Sequence, residues 1–549
     1  MDLVDQIQKA REKHIGIIIN PGALTHYGWS IHDALAAYEG VIIEMHLSNP
    51  NQRESWRHTS VVAPVADGSI AGFGIQGYEL SIRAFHQIIE NDDIVYGVNT
   101  GFGSLSSVSI DNDSLEDLQA NLIRSHACGV GDEMKPEHVL MMMLIRANSI
   151  AKGYSGTRIK VVELLLSMIN CKIAPVIPRI GSLGASGDLA PLSHLALAMM
   201  GEGECNILIN GKWLRKDVKE ILSENNLKPI KFQAKEGLSL INGTSQMCTY
   251  LSISIFNMEQ LIFAADAATA CSLEAIKGSH APFNSNIHNA RPHQGQQISA
   301  ARILGLIINS EINKSHIECD RVQDAYSFRC SPQVHGPIIE IIKEGRRMLE
   351  IEINSATDNP LVFSNNDSWE VISGGNFHGQ NLSMMSDYLA IACHEIASIS
   401  ERRTNQVLDP KWSGQKAFLA NKEGLESGLM IVQYVSAALI SELKILSNPA
   451  SVGNIPVSNG KEDHVSMGAT GTYRTYISTK YLSQVLSNEL ICSNEALSRI
   501  PENSGKGVEI IKKWLSSIVK PLNADRSMTK ECENVSSGLL SGVLFNLFR

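Results

Sequence analysis

The sequence predicts a mainly α fold, a long-helix bundle preceded by a short α/β segment, and three observations carry that prediction. Stretches rich in Leu, Ile, Ala and Met keep helical spacing over 134–173, 246–277, 334–356, 380–408, 425–446 and 470–498. These stretches hold few charges, and helices apolar around most of their circumference are buried in a bundle or an oligomer. The N-terminal stretch differs: IGIIIN (15–20) and GVIIEMHL (40–47) are β-branched runs, and SIHDALAAYE (30–39) between them reads as a helix. That order marks a parallel sheet with helices on its faces. Helical periodicity takes over near residue 83. This sets the expected domains: an α/β fragment over 1–83 and a helical domain over 84–549, divided into 84–205 and 206–549.

Bulk properties exclude several classes. The 549 residues are 44% hydrophobic, enough for a large core and roughly two to four domains. The formal net charge is -10, and no Lys/Arg stripe stands ready to neutralise phosphates, which argues against nucleic acid as a partner. No apolar run reaches the roughly 18 residues of a membrane span. The charged, amphipathic start MDLVDQIQKAREKHIG is unlike a signal sequence. The ten cysteines include no CxxC pair and read as reduced thiols of a cytoplasmic protein. No metal is expected, because His126, His194 and His378 lie in separate segments without ligand spacing.

Gly-rich polar segments separate the helices: GVNTGFGS, GSLGASGDLAP, INGTS, SGGNFHG and SNGKEDHVSMGATG. Polar loops on a rigid helical frame are where sites are usually built. IPRIGSLGASGDLAPLSHLA (177–196) admits two readings. One is a tight turn before a helix, with Asp188 as N-cap and Pro191 in the first turn. The other is chemical: Ala185 offers a carbonyl carbon, Gly187 an unhindered backbone nitrogen, and Ser186 a β-hydroxyl that can leave as water. Ring closure would give a conjugated, electron-poor alkene.

From about residue 84 to about 500 the chain resembles the histidine/phenylalanine/tyrosine ammonia-lyase family. The ordered matches are YGVNTGFG (96–103), the loop just described, KEGLSLINGTS (235–245), VQDAYSFRCSPQVHG (322–336), NSATDNPL (354–361), SGGNFHG (373–379), SERR (400–403) and EDHVSM (462–467). The resemblance implies a bundle of the aromatic ammonia-lyase type, a homotetramer with sites at subunit junctions, and an aromatic amino acid as substrate. It also implies a methylidene-imidazolone group (MIO) formed from Ala185-Ser186-Gly187, with no separately bound cofactor.

Removing ammonia requires breaking a weakly acidic Cβ–H bond and expelling a poor leaving group, so the chemistry calls for a base and an electron sink. Tyr96 is the candidate base; otherwise it is an aromatic packed on a glycine turn. An ordinary phenol near pKa 10 is a weak base at neutral pH, so the site is expected to stabilise the phenolate. Asn242 would orient the MIO ring and the substrate amine, or simply form a turn before Gly243. Arg329 would clamp the substrate carboxylate in a fork, or make a structural ion pair. Tyr326 is a second acid/base candidate. Gln333 and Asn376 would line the pocket, Phe377 would pack on the substrate ring or MIO, and His378 is a participant or a core histidine.

Two places bear on the substrate. Ser125-His126 resembles histidine lyases, where phenylalanine-acting members often carry an aromatic-aliphatic pair. Glu401 offers a carboxylate to an imidazole N–H, which a phenyl ring lacks. INGTSQM, LDPKWSGQKAF (408–418), ISELK (440–444) and Leu443 depart from the usual histidine-lyase text. The expected reaction is L-histidine to trans-urocanate and ammonia; tyrosine or phenylalanine lyase, or an aminomutase, is the alternative.

Segments 18–35 and 41–82 resemble the C-terminal part of type II 3-dehydroquinate dehydratase, which implies a partial flavodoxin-like α/β fragment. Asn20, His46, Ser48 and Arg57 fall on that family's substrate-binding or catalytic positions, and His26 and Arg53 match motif positions of less certain role. The family's first strand, with its NGPNLN-like motif, and its catalytic tyrosine loop have no counterpart here; Tyr27 stands elsewhere. No dehydratase activity is expected, and the junction near residue 83 reads as a fusion of two incomplete enzymes. An inactive fusion is the alternative of another class.

Overall fold

The computed structural model describes residues 2–10, 16–19, 22–26, 28–38, 41–46, 60–66, 68–71, 96–316, 322–365 and 368–549. It divides the chain into two units. One comprises Met1–Thr249, Glu350–Gln380 and Asn454–Ala469; the other comprises Tyr250–Leu349, Asn381–Gly453 and Thr470–Arg549.

In the first unit the expected strand–helix–strand order is present. Strand Gly16–Ile19 runs parallel to Val41–His46, with Ile18 opposite Ile43, and helix Trp29–Ala36 lies between them in the chain. A third strand, Gly68–Ala71, pairs parallel with the second. Ile7, Ile19, Ile31, Leu35, Ile42 and Val62 close one small core around this sheet. Burying such aliphatic side chains is the main force holding so small a sheet together.

The helical pattern over 134–173 resolves into two helices, Pro136–Ile150 and Ile159–Asn170. The break falls where Gly153 and Gly156 take positive φ, a conformation that glycine adopts without a Cβ clash. The helix expected from 425 starts at Met430, after Gly428 with φ +58°.

The second unit is dominated by Ser245–Ala275, Ser331–Ile353, Gln380–Leu408, Met430–Leu446 and Gly468–Leu497. All side chains from Leu261 through Ile276 are buried, so this helix is apolar all round because it has no solvent face. Two fully buried carboxylates of this unit have close partners. Glu489, fully buried, accepts from Arg403 Nε (2.5 Å) and Nη2 (2.8 Å), Ser400 Oγ (2.6 Å) and Ser272 Oγ (2.7 Å). Asp266 accepts from Ser299 Oγ (2.5 Å) and His335 Nδ1 (2.8 Å). Among the described residues no helix is long and apolar enough to cross a membrane.

Removing one partner of the buried Arg403–Glu489 pair strands the other charge. Glu489→Gln is expected to cost about 3–5 kcal/mol, read as a lower urea midpoint, and Arg403→Met with Glu489→Leu together costs less than either single change.

Candidate active site

The tripeptide loop joins the strand Pro178–Ile180 to the helix Leu189–Met199. Asp188 occupies the N-cap position as expected, but its carboxylate does not cap that helix. It reaches instead to the start of the helix Ser245–Ala275, accepting from the backbone N–H of Gln246 (2.7 Å) and Met247 (3.1 Å). One fully buried carboxylate therefore satisfies two otherwise orphaned donors of another helix. Ser182 Oγ donates to the Gly187 carbonyl (3.1 Å) and lies 3.1 Å from Asp188 Oδ1.

The loop is pinned at further points. Asn242 Nδ2 donates to the Ser186 carbonyl at 2.7 Å, and Asp188 N–H donates to the Gly243 carbonyl at 2.7 Å. Ser466 Oγ donates to the Gly184 carbonyl at 2.8 Å, and Met467 N–H to the Leu183 carbonyl at 2.7 Å. Gly187 has φ +77°, and a Cβ there would overlap the Gly243 backbone. Only glycine fits where two backbones approach this closely.

The encoded Ser186 hydroxyl donates to Glu462 Oε1 at 3.1 Å. Glu462 belongs to the EDHVSM motif, yet the sequence reading gave it no role; that motif was the available signal. Its charge also acts on Tyr96 and His126. Burial is the largest influence on the Tyr96 phenol and raises its pKa; the Gly103 backbone amide lowers it and Glu462 raises it further. The expected phenolate stabilisation is thus corrected: the described surroundings favour the neutral phenol, because a half-buried anion would face a second anion. Burial likewise lowers the His126 pKa, opposed by the Leu122 carbonyl and by Glu462. His126 Nδ1 lies 2.9 Å from the Leu122 carbonyl, which can only accept, so the proton sits on Nδ1. Ser125 Oγ donates to the same carbonyl at 3.0 Å.

In the same unit, the loop before Gln380 carries Asn376, exposed, and Phe377, half-buried. His378 stacks on His464 at 5.9 Å between ring centres, and its Nε2 lies 3.2 Å from the His464 carbonyl.

In the second unit Tyr326 and Arg329 share one short helix, Tyr326–Arg329, and the Arg329 guanidinium lies 4.7 Å from the Tyr326 ring centre. Arg329 Nε and, one turn on, Gln333 Oε1 are buried with no hydrogen-bond partner among the described residues. A structural ion pair for Arg329 is therefore not found there, and a guanidinium with an open fork suits a carboxylate. Glu401 is the reverse case. Buried in its helix, it accepts from Gln433 Nε2 (2.5 Å) and Arg402 Nε (2.6 Å). Its carboxylate is hydrogen-bonded within its own unit, and Glu462 offers a second carboxylate, at the tripeptide.

Of the dehydratase-like positions, His46 ends the second strand, and Asn20, Ser48 and Arg57 lie outside the described residues. Among the described residues no group of three or more His, Cys, Asp or Glu could hold a metal ion.

Residues 66–517 match the family model for aromatic amino acid lyase, which sets the chain among the carbon–nitrogen lyases. Residues 1–86 match the model for dehydroquinase class II. Histidine ammonia-lyase of Myxococcus xanthus (strain DK1622) is 45% identical over 473 residues, covering 85% of this chain and 92% of that protein. The crystal structure of histidine ammonia-lyase from Trypanosoma cruzi superposes with a TM-score of 0.80 at 35% identity, covering 97% of this chain and 94% of the other. A tyrosine aminomutase from Streptomyces globisporus superposes with a TM-score of 0.79 at 32% identity, covering 88% and 94%. The chain belongs to the aromatic amino acid lyase family.

Burial pushes the Asp188 carboxyl up to about 7, against hydrogen bonds from Met247, Ser182 and Gln246 and the charge of Arg146 that pull it down. The folded chain then binds this proton more tightly than the unfolded chain does. Its contribution to stability is complete below the unfolded carboxylate pKa near 4 and is lost as pH rises through about 7. Asp188→Asn keeps an acceptor for the Gln246 and Met247 amides and removes the titration. Relative to wild type, the variant is expected to gain stability by up to a few kcal/mol between about pH 4 and 7, followed by urea unfolding across that range.

Proposed function

We propose that the chain converts L-histidine to trans-urocanate and ammonia, using an MIO group built from its own Ala185-Ser186-Gly187. The observation that carries the substrate is the Glu462 carboxylate at the tripeptide, 3.1 Å from Ser186 Oγ. An imidazole N–H can donate to this half-buried carboxylate; a phenyl ring has no donor to offer it. The 45% identity to a protein named histidine ammonia-lyase supports the same substrate.

The residues present fit the group. The Gly187 nitrogen closes on the Ala185 carbonyl carbon. The carbonyl oxygen leaves as water with the amide protons of Gly187 and Ser186, and Ser186 gives up its Cα proton and hydroxyl as a second water. The absence of a Cβ at Gly187 and the anchors on Gly184, Ser186 and Asp188 suit so tight a closure. Once formed, the group supplies an electron-poor alkene that draws electrons from the substrate amine. Asn242 holds the residue 186 carbonyl and so orients the ring. Arg329 binds the substrate carboxylate, with Gln333 beside it. Tyr96 takes the β-proton, Tyr326 is the second acid/base group, and Asn376 and Phe377 line the ring's surroundings with Ser125 and His126. Residues 84–549 carry this activity, and residues 1–83 add no dehydration of dehydroquinate.

The working form proposed is a cytoplasmic homotetramer. Helix Met430–Leu446 exposes Ile431, Tyr434, Val435 and Ile445, an apolar face that subunit contact would cover. Every cysteine among the described residues is a free thiol, as a reducing compartment would keep it.

Incubation with L-histidine, L-tyrosine or L-phenylalanine, followed by the ultraviolet absorbance of the acrylate product, tests the reading. Product is expected from histidine alone, and none from Ser186→Ala. Product from tyrosine or phenylalanine in its place overturns the substrate assignment, and no product from a chain whose mass retains both waters overturns the reaction. Between the carboxylates, Glu462→Gln lowers kcat/KM for histidine about tenfold or more, whereas Glu401→Gln acts on thermal stability.

A further inference from the structure

Arg146, on helix Pro136–Ile150, is fully buried. Its Nη1 donates to the Thr357 carbonyl at 2.8 Å and its Nη2 donates to the Ser239 carbonyl, while its Nε has no partner among the described residues. Burial lowers its pKa, and Asp358 and Asp188 raise it. Lys235, also fully buried, already holds Asp358, with Nζ 2.8 Å from Oδ2. Two buried cations thus sit beside one committed carboxylate, Asp358, and a second, Asp188, whose ionisation burial opposes, a costly arrangement that packing alone does not require.

The guanidinium faces the tripeptide from behind. A Cβ at Gly243 would overlap Arg146 Nη1, and Gly243 is the residue whose carbonyl takes the Asp188 N–H and whose backbone packs on Gly187. Gly243 is gripped between a planar cation fixed to two carbonyls and the peptide that must bend. Asn242, next in the chain, holds the Ser186 carbonyl.

We propose that Arg146 is a positioning residue for self-cyclisation: its fork between Ser239 and Thr357 holds Gly243 against Gly187, compressing Ala185-Ser186-Gly187 into the geometry for ring closure. This rests on the reading of that tripeptide as the self-made electrophile. Arg146 touches neither substrate nor the reacting atoms. It acts through Gly243, so its loss changes how many chains cyclise rather than how a cyclised chain binds substrate. Lysine keeps the charge but cannot bridge two carbonyls in a plane.

The test compares intact masses of purified wild type, Arg146→Lys and Arg146→Gln, alongside circular dichroism and histidine kinetics. Wild type lacks two waters per chain. The folded Arg146 variants are expected to retain both waters in most chains, with kcat per total protein about tenfold lower and KM unchanged. A purely structural role would lower the melting temperature and leave the mass fully dehydrated, and that result overturns the proposal. Where neither Arg146 variant folds, Arg146→His decides, because a neutral imidazole has a single donor for the two carbonyls that the fork bridges: partial cyclisation supports the proposal and complete cyclisation overturns it. A wild-type chain that keeps both waters overturns the electrophile reading itself, and with it this role.

Discussion

The contact on which the rest depends is backbone against backbone, Gly187 on Gly243. No side chain can enter it, since a Cβ on Gly187 would overlap the Gly243 backbone. Everything nearby serves that approach. Asp188 N–H ties to the Gly243 carbonyl, and the Asp188 carboxylate ties to the first turn of the long helix Ser245–Ala275. The loop's position is therefore coupled to the longest helix described. A rigid frame of this kind lets the chain hold a peptide in a shape that a flexible loop would leave in an instant.

The electrostatics point the same way and expose a tension. Burial keeps Asp188 near neutral while Arg146 and Lys235 remain buried cations. On the substrate side the balance is acidic: Glu462 opposes ionisation of Tyr96. A base that must lose its proton is poorly served by a neighbouring anion, unless something cationic or proton-donating settles on that anion first. On the proposed reading the imidazole of histidine does so. Substrate binding would then cancel the repulsion and ready the phenol only when the site is filled. A phenyl ring would leave the repulsion in place, so one carboxylate would govern both recognition and activation of the base.

Much of the fold was legible in the sequence because the signals were local. Apolar helical spacing located Ser245–Ala275, Gln380–Leu408 and Gly468–Leu497 to within a few residues, and β-branched runs located the two parallel strands. Helix ends set by a positive φ, as at Gly153 and Gly428, were the less visible part. The site was legible at its centre and not in its surroundings. The family resemblance singled out Ala185-Ser186-Gly187, which the residue types only permitted, but what that peptide touches is fixed by residues far away in the chain. Ser186 and Glu462 are separated by 276 positions. Beyond the adjacent Arg402, the Glu401 carboxylate meets Gln433, 32 positions on, which its neighbours in sequence do not reveal. Asp188 looked like an ordinary cap because its true partners begin a helix 58 positions later.

The N-terminal segment shows the difference between a fold signal and a functional one. Three parallel strands and helix Trp29–Ala36 share a core of Ile, Leu and Val side chains in a segment that matches dehydroquinase class II. Packing of this kind tolerates change as long as volume and pattern are kept. A catalytic constellation tolerates far less, because it needs each group within about half an ångström of its productive place. Of the four dehydratase-like positions only His46 lies on a described strand, at its end. The lyase portion instead brings an asparagine amide to 2.7 Å and a carboxylate to 3.1 Å of one serine. Where two family resemblances share one chain, contacts that meet on the backbone carbonyl and the hydroxyl of one serine favour the lyase reading, whose site they build.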